Sequence, residues 1–155
     1  MLFLRKIRMF LPIFLFFLFL GFNEIAIAED LILKDLNGVS VNLSNHKGKP
    51  AILFFWTTWC HFCRNEIKAL NQNYNQLEKE GIAVFAIDIG EPDYRVQKFF
   101  KENGLSFRVL LDREGLVSDK YNVIGVPTYI LLDQSGRVVS AENRLPADYK
   151  SLFLK

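Results

Sequence analysis

The hydrophobic pattern of the chain alternates between buried-strand and helical signatures from residue 51 onward. Residues 51–56 and 82–89 are almost continuously apolar, which is typical of strands buried on both faces of a sheet. Between them, apolar residues recur at spacings of three and four, which predicts a helix over residues 61–80. A βαβ unit with a parallel strand pair is therefore expected at the centre of the fold.

Shorter elements are predicted on both sides of this unit. We expect strands at 31–35, 39–43, 109–112, 128–133 and 138–141, and helices from Pro92 to 103, at 116–121 and from 147 onward. This order predicts an α/β domain with a mixed central sheet, helices on both faces and an N-terminal strand hairpin extension.

The N-terminal segment has a different character. A basic cluster precedes the apolar run 9–22, and an A-x-A sequence ends at Ala28. This order is typical of a secretory signal, which predicts a signal peptide over 1–28, cleaved after Ala28, and a domain over 29–155. A retained N-terminal anchor stays open as the alternative, although a spanning helix needs about 20 apolar residues. Both interpretations place the domain in the periplasm or at the outer face of the cytoplasmic membrane, where disulfides persist.

Charge adds one exclusion. Basic and acidic side chains are equal in number over residues 29–155. The charge of the domain therefore gives no argument for a nucleic acid or an anionic membrane surface as partner, and no nucleic acid is expected.

The only cysteines of the chain, Cys60 and Cys63, lie where the predicted strand 51–56 passes into the predicted helix. A thiol at a helix N-terminus meets unpaired backbone N–H groups, which favour the thiolate. A spacing of three lets Cys63 reach the sulfur of Cys60 from the next turn. We therefore predict disulfide exchange with Cys60 as nucleophile and Cys63 as resolving thiol.

Two other uses of the cysteines fit less well. A purely structural disulfide would close a very small loop and would remove little chain entropy. A zinc site would need a second ligand pair, but His61 lies between the cysteines and His46 lies upstream at an unfamiliar spacing. We expect no metal and no prosthetic group, because the dithiol itself carries the electrons.

Several further segments surround the cysteine motif in a fixed order. They are Phe54-Phe55-Trp56-Thr57-Thr58-Trp59-Cys60, Ala86-Ile87-Asp88-Ile89-Gly90-Glu91, Val109-Leu110-Leu111-Asp112, Tyr121-Asn122-Val123-x-Gly125-Val126-Pro127-Thr128 and Leu131-Leu132-Asp133 followed by Gly136. With them the chain resembles the extracytoplasmic thioredoxin-like thiol-disulfide oxidoreductases of the TlpA/ResA/DsbE type. The resemblance covers nearly all of residues 29–155.

The resemblance implies a substrate-docking surface beside the cysteines. In this family the proline that matches Pro127 is cis, which would leave the backbone of Val126 free to pair with a substrate strand. Trp59 would add an apolar docking surface, whereas Trp56 is expected in the core.

The resemblance also implies an activity and partners. The substrates would be exported proteins with thiols or disulfides, and the chain would act as a reductant, for example in cytochrome c maturation. A reductant outside the cytoplasm needs an electron source, so a membrane donor of the CcdA or DsbD kind is expected. The sequence does not indicate the oligomeric state.

Two departures from the family pattern concern protons and redox direction. Thioredoxins carry a buried Asp where this chain has Phe54, so Glu91 is the candidate proton acceptor; the alternative is a solvated loop carboxylate. His61, if protonated, would modulate the thiol pKa, stabilise the thiolate and make the disulfide more oxidising; the alternative is an exposed His without a role. Reductant and oxidant therefore both stay open.

Two other function classes are alternatives. Thr57 and Cys60 form the T-x-x-C pattern of a peroxiredoxin-like thiol peroxidase, although Leu53 stands where a proline usually precedes it. A copper or metal-binding chaperone would be supported by a longer cysteine spacing with a Met or His partner, and the sequence offers neither.

Overall fold

The computed structural model describes residues 31–154, so the predicted signal peptide lies outside the described residues. The strands are β1 (Ile32–Asp35), β2 (Ser40–Asn42), β3 (Ala51–Trp56), β4 (Ala83–Ile89), β5 (Val109–Asp112), β6 (Thr128–Leu132) and β7 (Val138–Glu142). The helices are α1 (Cys63–Lys79), α2 (Asp93–Glu102), α3 (Leu116–Lys120) and α4 (Tyr149–Leu152), with a 3₁₀ turn at Leu43–His46. Within this part of the chain, no helix is both long and apolar enough to cross a membrane.

The strands form one mixed sheet in the order β2-β1-β5-β4-β3-β6-β7. The three central strands β5, β4 and β3 are parallel, while β1 and β6 join them in antiparallel orientation. The predicted mixed sheet with an N-terminal hairpin is confirmed. Both outer strands are irregular or short: β2 has 3 residues, and the register between β6 and β7 shifts at Leu131/Leu132.

The central strand β3 is fully buried because its side chains alternate between two apolar layers. Phe54 and Trp56 face the layer that α1, α2 and α4 cover, and Phe55 faces the layer that α3 covers. Phe54 stacks on Tyr129 with ring centroids 4.5 Å apart. Trp56 is thus confirmed as a core residue, and burial of each such ring contributes about 1.5–3 kcal/mol.

Helix α1 begins at Cys63, two residues later than the sequence pattern predicts. Two successive turns precede it: the Cys60 N–H donates to the Thr57 carbonyl at 3.4 Å, and the Arg64 N–H donates to the His61 carbonyl at 3.3 Å. Cys60 therefore lies in a turn, and Cys63 is the first helical residue.

Candidate active site

The two cysteines lie at the carboxyl edge of the parallel strands, where β3 leads into α1. They form a disulfide with their Cα atoms 5.3 Å apart. The Cys63 backbone N–H donates to the Cys60 sulfur at 3.1 Å, so the positive end of the helix faces this sulfur. Cys60 is 5% exposed and Cys63 is 0% exposed, which leaves Cys60 as the sulfur that another protein can reach.

The segment before β6 lies against the disulfide, although it is 66 residues away in the chain. The Val126–Pro127 bond is cis, as the resemblance implies. The Cys60 sulfur lies 3.6 Å from the Val126 carbonyl oxygen. Asn143 donates its side-chain amide to the Pro127 carbonyl at 3.1 Å, which ties this segment to the residue after β7.

Apolar side chains surround the disulfide on the surface. Trp59 is 67% exposed and Phe62 is 73% exposed. Ile124, three residues before Pro127, is fully exposed, and the sequence analysis did not select it. The signal was present as an isolated apolar residue in a turn. His61 is exposed, with its ring edge-on to Phe62 at 5.9 Å, and its effect on the thiols stays a prediction.

Glu91 is buried at 4% exposure, so the alternative of a solvated loop carboxylate is wrong. Its carboxylate accepts the Thr58 backbone N–H at 2.5 Å and the Thr58 hydroxyl at 2.7 Å. An Arg95 guanidinium nitrogen lies 3.5 Å from it. Thr58 precedes Cys60 by two residues, so Glu91 is tied to the cysteine turn.

Asp88 is a buried acid that the sequence analysis did not single out. It lies near the end of β4, opposite Trp56 on β3, and is 1% exposed. Burial and then the neighbouring Glu91 carboxyl raise the pKa of Asp88 to about 9. The signal was its position as the only acid in the apolar run 82–89. The buried acid that is absent at Phe54 is therefore present one strand away.

A third acid follows the cysteines in the first turn of α1. Glu66 follows Cys63 by one turn, and the sequence analysis did not select it. Burial and then the Glu66 charge raise the pKa of Tyr129 well above its ordinary value. Within residues 31–154, no three His, Cys, Asp or Glu side chains are grouped to hold a metal ion.

Comparison with known proteins agrees with this geometry. The pattern of the AhpC/TSA family matches residues 26–141. The thiol-disulfide oxidoreductase ResA from Geobacillus kaustophilus is 40% identical over 111 residues, which are 72% of this chain and 64% of that protein. The chain thus spans less than two thirds of that curated relative.

Two solved structures share the fold. The thiol:disulfide interchange protein DsbE from Chlorobium tepidum has a TM-score of 0.70 and 31% identity, and the match covers 81% of this chain and 89% of that one. A secreted disulfide oxidoreductase from Mycobacterium tuberculosis has a TM-score of 0.66 and 26% identity, covering 80% and 92%. With a cysteine pair at the start of α1 and a cis-proline against it, the chain belongs to the AhpC/TSA family and, within it, to the thioredoxin-like thiol-disulfide oxidoreductases.

Proposed function

We propose that this protein is an exported thiol-disulfide oxidoreductase that reduces disulfides in other exported proteins, for example during cytochrome c maturation. Cys60 attacks a substrate disulfide, and Cys63 resolves the mixed disulfide. The difference in exposure between the two sulfurs supports this order. The hydrogen bond from the Cys63 N–H supports a thiolate at Cys60.

The position of Glu91 carries the proposed redox direction. A disulfide becomes a strong oxidant when its reduced form is stabilised. A carboxylate fixed to Thr58, two residues from Cys60, acts in the opposite sense because its negative charge repels a thiolate. His61 is exposed and packs on Phe62. The Glu91 charge therefore supports a dithiol that acts as a reductant, against the opposite effect of the Cys63 N–H at the Cys60 sulfur.

The reduction potential of the Cys60/Cys63 couple tests this direction. We expect a value near that of thioredoxin, about −270 mV, from equilibration with glutathione or dithiothreitol buffers. A value near that of DsbA, about −120 mV, would instead make the protein an oxidant. A peroxide-consumption assay on the same sample separates exchange from the thiol peroxidase alternative, for which we expect no turnover.

Export and electron supply belong to the same proposal. The Mycobacterium tuberculosis relative is a secreted protein, and the segment 1–28 has the pattern of a secretory signal. A reductant outside the cytoplasm must be recharged, so we infer a membrane electron donor of the CcdA or DsbD kind. That donor would exchange with Cys60 through the same exposed surface.

We propose that substrates dock on Trp59 and on the backbone of Val126 next to Pro127. Trp59→Ala is expected to lower kcat/KM for a protein disulfide by about tenfold, since an aromatic anchor at an interface contributes 1 kcal/mol or more. The urea midpoint should barely change because the side chain is 67% exposed. Tyr94→Ala, at 69% exposure on α2, is the matched control and should leave exchange unchanged. Equal losses in both variants would remove the docking role of Trp59.

A further inference from the structure

Two buried carboxyl groups lie three residues apart at the carboxyl end of β4, in different surroundings. Glu91 accepts two hydrogen bonds from Thr58 and lies beside Arg95. Neither side-chain oxygen of Asp88 makes a well-formed hydrogen bond among the described residues, although the Glu91 backbone N–H lies close enough to favour the charged form. A buried negative charge with so little hydrogen bonding is costly, and a second carboxylate nearby adds to the cost. The surroundings therefore favour the proton on Asp88.

A neutral Asp88 solves its own hydrogen-bonding problem. Its O–H group is a donor, and the Glu91 carboxylate is close enough to interact with it. The charged groups that face Asp88 are Glu91, from the loop after β4, and Arg95, from α2. From β3, the residue opposite Asp88 is the uncharged Trp56. One proton and one negative charge on the pair satisfy both side chains.

Glu91 connects this pair to the chemistry at the cysteines. The Glu91 carboxylate accepts hydrogen bonds from Thr58. Thr58 lies in the turn that the hydrogen bond from the Cys60 N–H to the Thr57 carbonyl closes. Each reduced substrate disulfide takes two electrons and two protons from Cys60 and Cys63. A fixed negative charge at this turn therefore opposes each step in which Cys60 or Cys63 becomes a thiolate.

Resting on the proposed role of Glu91, we propose that Asp88 and Glu91 form a carboxyl pair that holds one proton, with Asp88 as the positioning residue. During resolution the Cys63 thiol loses its proton, and its sulfur bonds to the Cys60 sulfur. The bond between Cys60 and the substrate breaks, and the departing substrate thiolate takes a proton back. Asp88 stays neutral at neutral pH, and its ionisation at alkaline pH adds a second charge that opposes thiolate formation.

Asp88→Asn tests the pair because the variant keeps the shape and stays neutral at every pH. In the reduced protein, the alkylation rate of Cys60 against pH should show an additional ionisation on the alkaline side for the parent only. At alkaline pH, where Asp88 of the parent is ionised, Cys60 of the variant should be alkylated several-fold faster. At neutral pH, where Asp88 is already neutral, the two rates should agree.

A spectroscopic measurement tests the proton directly, without activity. Infrared spectra of the oxidised parent at neutral pH should contain the carbonyl band of a neutral carboxylic acid, and Asp88→Asn should lack it. Glu91→Gln removes the neighbouring charge, so the band should vanish at a lower pH than in the parent. Asp112→Asn is the matched control, because Asp112 is equally buried but accepts N–H groups from Val117 and Ser118. It should leave the band and the alkaline step unchanged.

Coincident alkylation curves for the parent and Asp88→Asn, or a band that persists in Asp88→Asn, would overturn the pair. If Asp88→Asn does not fold, Glu91→Gln tests the pair instead. A carbonyl band that vanishes at the same pH in Glu91→Gln and in the parent would then contradict the proposal. A wrong redox direction has a different signature, namely an oxidising potential with the band intact.

Discussion

Cys60→Ser is expected to abolish disulfide exchange, whereas Cys63→Ser is expected to accumulate a mixed disulfide between Cys60 and its substrate. The first variant lacks the reachable sulfur, and the loss of a nucleophile lowers turnover on the order of 10³-fold or more. The second variant keeps the attacking sulfur and loses the buried one that would release the substrate. Non-reducing electrophoresis of each variant with a disulfide-containing protein measures the trapped species.

Loss of the disulfide in either variant should change the stability of the fold very little. The disulfide joins residues separated by 3 positions, so it closes too short a loop to contribute much chain entropy. Both variants should therefore unfold in urea near the midpoint of the reduced parent. Trapping by Cys60→Ser and not by Cys63→Ser would reverse the assignment of the two sulfurs.

Asp88→Asn is expected to be more stable than the parent at pH 7, by roughly 2–4 kcal/mol. The folded parent keeps the Asp88 proton up to a pKa of about 9, whereas the unfolded chain loses it near the model value of 3.8. Between these pH values folding takes up a proton. The stability that Asp88 contributes is therefore full below pH 3.8 and is lost progressively as the pH rises toward about 9.

Urea unfolding of both proteins at a series of pH values measures this effect. The pKa values of Glu80 and Asp133 are lowered by hydrogen bonds, but both groups are present in both proteins and cancel in the difference. The advantage of Asp88→Asn should grow from acidic to alkaline pH. A difference that stays constant across the series would mean that Asp88 is ionised in the folded protein.

Local pattern was sufficient to predict the elements that build the sheet. The run Ala51–Trp56 is apolar throughout because both faces of β3 are covered, and Gly81 and Gly104 end the two long helices. The start of α1 was predicted two residues early, because the turns at Thr57 and His61 resemble a helical turn in composition. Periodicity does not distinguish a turn from the first turn of a helix.

The site depended on information that periodicity does not contain. The proximity of Cys60 and Val126 was predicted only from the family resemblance, since the two residues are far apart in the chain. Asp88 was missed because an acid near the end of a strand is usually solvated at the sheet edge. Here Asp88 is 1% exposed, and that burial is a property of the tertiary packing.

The two outer strands of the sheet have a consequence for aggregation. If substrates pair with the backbone at Val126, as proposed, the other strands must not pair with further copies of the chain. The strand β2 provides only 3 residues for pairing, and the shifted register beside β7 distorts the opposite edge. Short and irregular edges are poor templates for added strands. These edges thereby leave the proposed docking segment beside the disulfide as the place where an extended partner can pair.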